Sequence, residues 1–180
     1  ADQPVAVIED LAQAWGTRSA GRSVGTVGAI GAASFFPTKN LGGLGDGGAV
    51  IAREPYAERV RALRQHGCRS HGSHETVGLN ARLDALQAAL LAVKLSTVSQ
   101  SIAERSRQAR LYCDGLAGCD WLRMPPLDGP NEGDERTFNQ FVLRCGPGRD
   151  DLRAHLDARG IDTRSYYARP LPAEPIFANI

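Results

Sequence analysis

Runs of apolar residues predict the strands of an α/β sheet in the first third of the chain. Residues 5–8 are continuously apolar and end in Glu9 and Asp10, a pattern typical of a buried parallel strand with acids at its carboxyl end. Residues 29–36 predict a second strand, and residues 49–52 predict a third after a glycine-dense loop. Open α/β sheets bind ligands at the carboxyl ends of their strands, so Asp10 lies where a ligand is expected.

Helical periodicity dominates the middle of the chain. Leu83, Leu86, Leu90 and Val93 recur at intervals of three and four residues, which predicts an amphipathic helix buried along this stripe. A second helix is predicted to open at Glu54 and Pro55 and to end at Gly67, and a polar loop follows over 69–79. The remaining predicted elements are, in chain order, a helix over 102–116, a strand over 137–144, a helix over 150–159 and a strand over 161–167. The last strand, helix and strand of the chain give a βαβ order, which is typical of a small α/β domain.

Composition and charge exclude several classes of protein. The 180 residues are 42% hydrophobic and 23% charged, the balance of a folded chain. A net charge of +1 gives no general attraction to nucleic acid or to an anionic membrane. No apolar run approaches the roughly 20 residues that cross a bilayer, and no secretory signal is recognisable. The four cysteines are scattered without a CxxC pair, so we expect reduced thiols in a cytoplasmic protein.

The use of basic residues singles out two positions. Of the 21 basic residues, only Lys39 and Lys94 are lysines. A lysine kept in an arginine-rich chain is a candidate for a task that needs an amine nucleophile, although GC-rich coding gives the same bias. Lys39 also lies between an apolar strand and a glycine loop, where partial desolvation favours a Schiff-base lysine. A lysine in a surface turn is the alternative.

Three other groups of residues carry weaker signals. Asp10 is either a cofactor ligand or a loop-capping acid, and Asp84 and Gln87 are most simply solvent-facing or capping groups. The GxGxxG spacing within residues 43–48 is not a dinucleotide site, because a strand and not a helix is predicted after it. Metal-ligand residue types occur at close spacing, but no second cluster completes a tetrahedral set, so we expect no metal site; these residues are His66, Cys68, His71 and His74.

Four longer strings point to one family. In chain order they are VIEDLAQAWG, SFFPTKNLGGLGDGGAV, LRQHGCRSHGSHETVGLNARLDALQAALLAVKL and GIDTRSYYARPLPAEPIF. Together they resemble the DegT/DnrJ/EryC1/StrS family of pyridoxal-phosphate-dependent sugar aminotransferases. The resemblance implies an α/β, three-layer, fold-type I aminotransferase. Residues 1–98 would form the C-terminal part of the large cofactor-binding domain, and residues 99–180 an interdomain helix and the start of the small domain.

The resemblance assigns a role to five residues. Lys39 would hold pyridoxal 5'-phosphate as an internal aldimine, and Asp10 would keep the pyridine nitrogen protonated. Gln13 would lie against the ring, and Ser34 would bind the cofactor phosphate. Asn80 would reach the phosphate from the neighbouring subunit, so the resemblance also implies a homodimer with shared active sites.

The implied reaction moves an amino group from an amino acid, glutamate by resemblance, to a keto group of a nucleotide-linked deoxy-sugar. Trp15, Pro172 and Glu174 depart from the family pattern, which leaves the identity of the sugar open. The alternatives are an aminotransferase acting on a cyclitol ketone and a non-catalytic or truncated relative. Lys39 argues against the related dehydratases, which carry histidine at that position. We expect the chain to be a fragment that lacks the family's N-terminal part and is inactive by itself.

Overall fold

A computed structural model describes residues 5–70 and 72–178 of the chain. Its strands are β1 (Ile8–Asp10), β2 (Arg18–Ser19), β3 (Arg22–Ser23), β4 (Ile30–Ser34), β5 (Gly48–Ala52), β6 (Cys68–Ser70), β7 (Ser73–His74), β8 (Leu122–Arg123) and β9 (Arg144–Cys145). Its α-helices are α1 (Tyr56–Leu63), α2 (Ala85–Leu95), α3 (Val98–Gly115) and α4 (Arg149–Asp157), and two 3-10 turns follow at Leu171–Ala173 and Pro175–Phe177. Among the described residues, no helix is long and apolar enough to cross a membrane.

The described residues form two compact units. One holds the described residues up to Gly118 together with Met124–Val142, and the other holds Cys119–Arg123 together with the chain from Leu143 onwards. In the smaller unit, β8 pairs with β9 in antiparallel fashion, and α4 follows Gly148. The predicted division into a large and a small domain near residue 98 stays a prediction.

The larger unit is built on a three-stranded sheet in the order β1-β4-β5. β1 pairs in parallel with β4, with Asp10 opposite Ala32, and β4 pairs in antiparallel fashion with β5. The prediction of a parallel first strand is confirmed, but its bounds were wrong. Pairing starts at Ile8 opposite Ile30, so the apolar residues before Ile8 lie outside the strand.

The core of this unit lies between the sheet and the two long helices. Phe35, Leu41, Leu91 and Val98 form its buried cluster, and partly buried side chains that include Trp15 pack against it. The rings of Trp15 and Phe35 meet edge to face with centroids 5.9 Å apart. Burial of this apolar surface is the main stabilising contribution to the unit.

Helix α2 buries only part of the predicted leucine stripe. Leu86 is 86% exposed and Val93 is 73% exposed, whereas Leu91 is 6% exposed. Leu83 and Leu90 of the predicted stripe are half-buried, and Leu83 packs against the core cluster. The side chains of Gln87 and Lys94 reach the glycine-rich loop after β4. The prediction of a helix is confirmed, and the prediction of its buried stripe was wrong for Leu86 and Val93.

Two short hairpins lie in segments where the sequence predicted no strand. β2 and β3 pair in antiparallel fashion around Ala20 and Gly21, both of which have positive φ. β6 and β7 pair within the segment 69–79 that was predicted to be a loop. Glycine adopts positive φ without steric cost, so it suits such tight turns.

Of the strands predicted over 137–144 and 161–167, only the last residue of the first, Arg144, lies in a strand. In the first segment the guanidinium of Arg105 donates hydrogen bonds to the carbonyls of Phe138 and Asn139 at 3.1 and 3.2 Å, in place of a neighbouring strand. Phe141 stacks on Tyr112 of α3 with centroids 5.1 Å apart. Strand-type residues here pack on a helix, and among the described residues neither segment pairs along its length with another strand.

Candidate active site

Asp10 lies at the carboxyl end of β1, beside the parallel strand β4. Its Oδ1 accepts a hydrogen bond from the backbone N–H of Ala12 at 2.9 Å, and the side chain is exposed. The next residue, Leu11, is buried, and its N–H donates to the carbonyl of Ala32 at 2.9 Å. The turn after β1 is therefore anchored on β4, which fixes the position of the Asp10 carboxylate.

Glu9, the acid before it, has a structural role that the sequence did not reveal. Its carboxylate accepts hydrogen bonds from the backbone N–H groups of Gly25, Val27 and Gly28 at 2.8, 2.8 and 2.6 Å. Desolvation of the carboxyl group opposes ionisation, but these three hydrogen bonds and the nearby Arg22 outweigh it and lower the pKa of Glu9. Glu9 thus fixes the loop that leads into β4.

The turn that carries Gln13 connects Asp10 to the neighbourhood of Lys39. Gln13 is exposed, and the turn is closed by the N–H of Ala14, which donates to the carbonyl of Leu11 at 3.1 Å. Farther along, the carbonyl of Trp15 accepts a hydrogen bond from Nδ2 of Asn40 at 3.2 Å. Because Asn40 follows Lys39 directly, this bond holds the two segments together.

Ser34 is the last residue of β4, two positions beyond the partner of Asp10. Its Oγ accepts a hydrogen bond from the N–H of Phe36 at 3.2 Å. This contact orients the hydroxyl and leaves its proton free to be donated to a ligand oxygen. Ser34 and Asp10 therefore lie at the same edge of the sheet, on adjacent strands.

Lys39 lies in the turn after β4 and is half-buried. Its backbone N–H donates to the carbonyl of Phe36 at 2.9 Å, and Leu41, two residues later, is buried in the core cluster. The lysine is thus held between the end of a strand and a buried leucine. This placement agrees with the partial desolvation expected from the sequence.

The loop after Lys39 is closed by backbone and side-chain contacts. The N–H of Gly43 donates to the carbonyl of Phe35 at 2.7 Å, and the N–H of Leu44 donates to Oε1 of Gln87 at 2.9 Å. Nζ of Lys94 donates to the carbonyl of Gly42. The interpretation of Gln87 as a solvent-facing or capping residue was wrong, because its amide binds this loop.

Among the described residues, Asn80 makes its contacts with other parts of the chain than these site residues. It forms an isolated antiparallel bridge with Gln65, and its Oδ1 accepts a hydrogen bond from Nε of Arg82 at 3.0 Å. The side chain is exposed. Between the described residues, no hydrogen bond joins Asn80 to the edge that carries Asp10 and Lys39.

The residues at the sheet edge match the chemical groups of pyridoxal phosphate. A half-buried amine (Lys39) suits its aldehyde, an exposed carboxylate (Asp10) suits its pyridine N–H, and an oriented hydroxyl (Ser34) suits its phosphate. Within residues 5–70 and 72–178, no three His, Cys, Asp or Glu side chains group closely enough to hold a metal ion. His71, one of the histidines considered as a ligand, lies outside the described residues.

Comparison with known proteins identifies relatives over the whole chain. The model of the DegT/DnrJ/EryC1/StrS aminotransferase family matches residues 1–180. A relative from Streptomyces venezuelae, dTDP-3-amino-3,4,6-trideoxy-alpha-D-glucose transaminase, is 44% identical over 173 residues, which are 96% of this chain and 45% of that protein. The erythromycin biosynthesis sensory transduction protein EryC1 of Saccharopolyspora erythraea is 41% identical over 177 residues, 98% of this chain and 47% of that protein.

The fold agrees with a solved structure of the same family. The crystal structure of S. venezuelae DesV in complex with a ketimine intermediate matches with a TM-score of 0.89 and 43% identity, over 97% of this chain and 46% of that one. The chain thus spans about half the length of the relatives it matches. The predicted α/β fold-type I aminotransferase fold is confirmed. The chain belongs to the DegT/DnrJ/EryC1/StrS aminotransferase family.

Proposed function

We propose that the parent protein is a pyridoxal-phosphate-dependent aminotransferase. It moves an amino group from an amino acid, glutamate by resemblance, to a keto group of a nucleotide-linked deoxy-sugar. The observation that carries this proposal is that Asp10 and Lys39 follow the carboxyl ends of adjacent parallel strands, in segments joined by the hydrogen bond from Asn40 to Trp15. A family whose relatives are named as sugar transaminases gives the reaction class.

Four residues of this chain would hold the cofactor. The amine of Lys39 would attach to its aldehyde carbon, Asp10 would pair with its ring N–H, Gln13 would lie against the ring and Ser34 would donate to the phosphate. When bound, pyridoxal phosphate supplies an electron sink for the carbanion that forms at the substrate carbon. Asp10 supports this chemistry because an adjacent anion favours the protonated ring nitrogen.

Proton transfer is the second task of Lys39. With the substrate amine in its place on the cofactor, the free Nζ of Lys39 would be a base beside the reacting carbon. It would move a proton from the Cα of the donor to the cofactor's aldehyde carbon, and in the second half-reaction from that carbon to the sugar carbon that receives nitrogen. Arginine cannot act as this base, since its guanidinium stays protonated.

The sugar substrate is the least constrained part of the proposal. The S. venezuelae relative is named for a dTDP-linked sugar with an amino group at C3, so we propose a dTDP-linked 3-keto deoxy-sugar as the first acceptor to test. Trp15 departs from the family pattern, but its ring packs on the core beside Phe35, which supports a packing role for this departure. Pro172 and Glu174 remain the candidate specificity residues.

The assembly and location of the parent protein belong to the same proposal. We infer a homodimer in which Asn80 reaches the cofactor phosphate of the neighbouring subunit. The exposed position of Asn80 supports this inference. A cytoplasmic location is supported by the four cysteines, all of which are free. Small-molecule substrates are the expected ligands, with no role for nucleic acid or membrane.

Two rival functions fit the residues less well. A non-catalytic regulator is suggested by the name of the S. erythraea relative, but a regulator has no need of both Lys39 and Asp10. A cyclitol aminotransferase would use the same cofactor site, and the dTDP-sugar name of the S. venezuelae relative argues against it.

Reductive labelling tests the proposal directly. The parent-length protein is loaded with pyridoxal phosphate, reduced with borohydride and digested, and the modified peptide is mapped. We expect the pyridoxyl group on Lys39 and its loss in Lys39→Ala, while Lys94→Arg keeps the label. A label on Lys94, or no bound cofactor in a folded wild-type protein, would contradict the proposal.

A further inference from the structure

The loop after Lys39 obtains two of its polar contacts from helix α2. Gly42 is buried, and its carbonyl accepts a hydrogen bond from Nζ of Lys94. The N–H of Leu44 donates to Oε1 of Gln87 at 2.9 Å. The carbonyl of a buried residue such as Gly42 requires a hydrogen-bond partner, and here α2 provides it.

Helix periodicity explains why both side chains reach the same loop. Gln87, Leu91 and Lys94 are separated by four and three residues, so they share one face of α2. Leu91 packs with Leu41, which lies two residues after Lys39. An apolar contact in the middle of the face is therefore flanked by a polar contact on each side.

The glycines of the loop make room for this face. A Cβ added at Gly43 would lie 2.9 Å from Oε1 of Gln87, and one added at Gly45 would lie 3.0 Å from its Nε2. Such distances are shorter than ordinary van der Waals contacts. The glycine pattern thus permits a close approach of the loop to the Gln87 side chain.

We propose that Lys94 is a positioning residue for Lys39. The chain has two lysines among 21 basic residues, and the second binds the backbone three residues after the first. By holding the carbonyl of Gly42, Lys94 fixes the backbone from which the Lys39 amine extends, and Gln87 is the second anchor. This inference rests on the proposed function for the role of Lys39, but the loop contact itself does not.

Hydrogen exchange of the loop tests the contact without any cofactor. In the parent-length protein we expect Lys94→Met to accelerate exchange of the Gly43 and Leu44 amides by about ten-fold or more, because the loop opens more often. Lys94→Arg keeps a donor and should retain most of the protection. Gln87→Leu should reproduce the acceleration, and Gln100→Leu, an exposed position on α3, should not.

The cofactor-loaded protein provides the readout for positioning. When the absorption of the bound cofactor is titrated against pH, we expect Lys94→Met to shift the midpoint of that titration. We also expect Lys94→Met to lower kcat about ten-fold, with KM for the amino donor changing less than kcat. Lys94→Arg should recover most of both values. A purely structural role elsewhere in the fold would leave the absorption midpoint unchanged.

The outcomes separate this proposal from the proposed function. Unchanged exchange in Lys94→Met would overturn the loop contact. An unchanged absorption midpoint and kcat in Lys94→Met, or a Lys94→Arg variant as defective as Lys94→Met, would overturn the positioning role. Fast loop exchange in Lys94→Met together with a wild-type protein that binds no pyridoxal phosphate would keep the contact and reject the proposed function.

Discussion

At the scale of single residues, the two adjacent acids of β1 have different surroundings. Successive side chains of a strand point to opposite faces of the sheet, so Glu9 and Asp10 diverge. Glu9 accepts three backbone hydrogen bonds from the loop that leads into β4. Asp10 accepts one from Ala12 and remains exposed. The first acid thus organises the fold, and the second is available to a ligand.

Glu9→Gln should destabilise the protein in a pH-dependent way. An amide cannot replace a carboxylate that accepts three N–H groups, so we expect a loss of about 1–2 kcal/mol in the free energy of unfolding near neutral pH. The pKa of Glu9 is lowered from its ordinary value of 4.5, so its contribution is complete above that pH and is lost as the pH falls through the lowered pKa. Urea unfolding between about pH 3 and 7 measures it.

Glu104 provides the control for this prediction. The side chains of Arg107 and Gln108 hold the pKa of Glu104 at about 2, but all three residues are exposed on α3. Exposed ion pairs contribute little, so Glu104→Gln should leave the unfolding free energy nearly unchanged. Equal effects of the two substitutions, or a Glu9→Gln effect that does not vary with pH, would contradict the assigned role of Glu9.

Residue type revealed some site residues and contact geometry revealed others. Lys39 could be singled out from the sequence because an amine is rare in this chain and the glycine loop beside it is distinctive. Lys94 was singled out on the same ground, but its contact and that of Gln87 could not be predicted, since they bind backbone groups 52 and 43 residues away in the chain. Glu9 was visible as an acid at a strand end, but its three amide partners depend on the path of the following loop.

At the scale of elements, periodicity indicated that helix α2 forms but gave only part of its contacting face. The predicted stripe contained Leu86 and Val93, which are mostly exposed. It did not contain Gln87 and Lys94, whose polar groups bind the glycine loop. Hydrophobicity alone cannot identify a buried face that satisfies backbone groups of another segment, because that requirement is tertiary.

Gly67 follows helix α1, close to Gln65, the residue that bridges to Asn80. Its N–H donates to the carbonyl of Ala62 at the end of α1, and its φ is +75°. A Cβ at this position would collide with the carbonyl of Thr76. Gly67→Ala should therefore lower the free energy of unfolding by about 2 kcal/mol or more, the sum of left-handed strain and the displacement of backbone.

Gly72 separates the two contributions in the Gly67 prediction. Its φ is +86°, but a Cβ added there would meet open space. Gly72→Ala should thus show the conformational cost alone, about 1 kcal/mol. Thermal or urea unfolding of both variants measures the difference, and equal losses would mean that the approach of Thr76 to Gly67 is not rigid.

At the scale of the whole molecule, the described part carries apolar side chains on its surface around Asn80. Val77 is 91% exposed and Leu79 is 71% exposed, and Leu86 lies on the neighbouring helix α2. Burial of such side chains on association is favourable. Their position supports the proposal that this region faces another subunit.

Mixing two inactive variants tests whether Asn80 acts across a subunit interface. Lys39→Ala and Asn80→Ala homodimers should each be nearly inactive. In a mixed dimer, one site would combine the intact Lys39 of one subunit with the intact Asn80 of the other, and the second site would lack both. With random exchange half of the dimers are mixed, so transamination should recover to about a quarter of the wild-type rate.

The recovery distinguishes a shared site from a site within one subunit. If Asn80 served the Lys39 of its own chain, every site in the mixed dimer would lack one of the two residues, and mixing would restore nothing. Mixing Lys39→Ala with Asp10→Asn is the matched control, because both residues lie on the same sheet edge of one subunit. We expect no recovery in that control, since no subunit of the mixture retains both groups. Recovery in the control would contradict the assignment of Asp10 and Lys39 to one site.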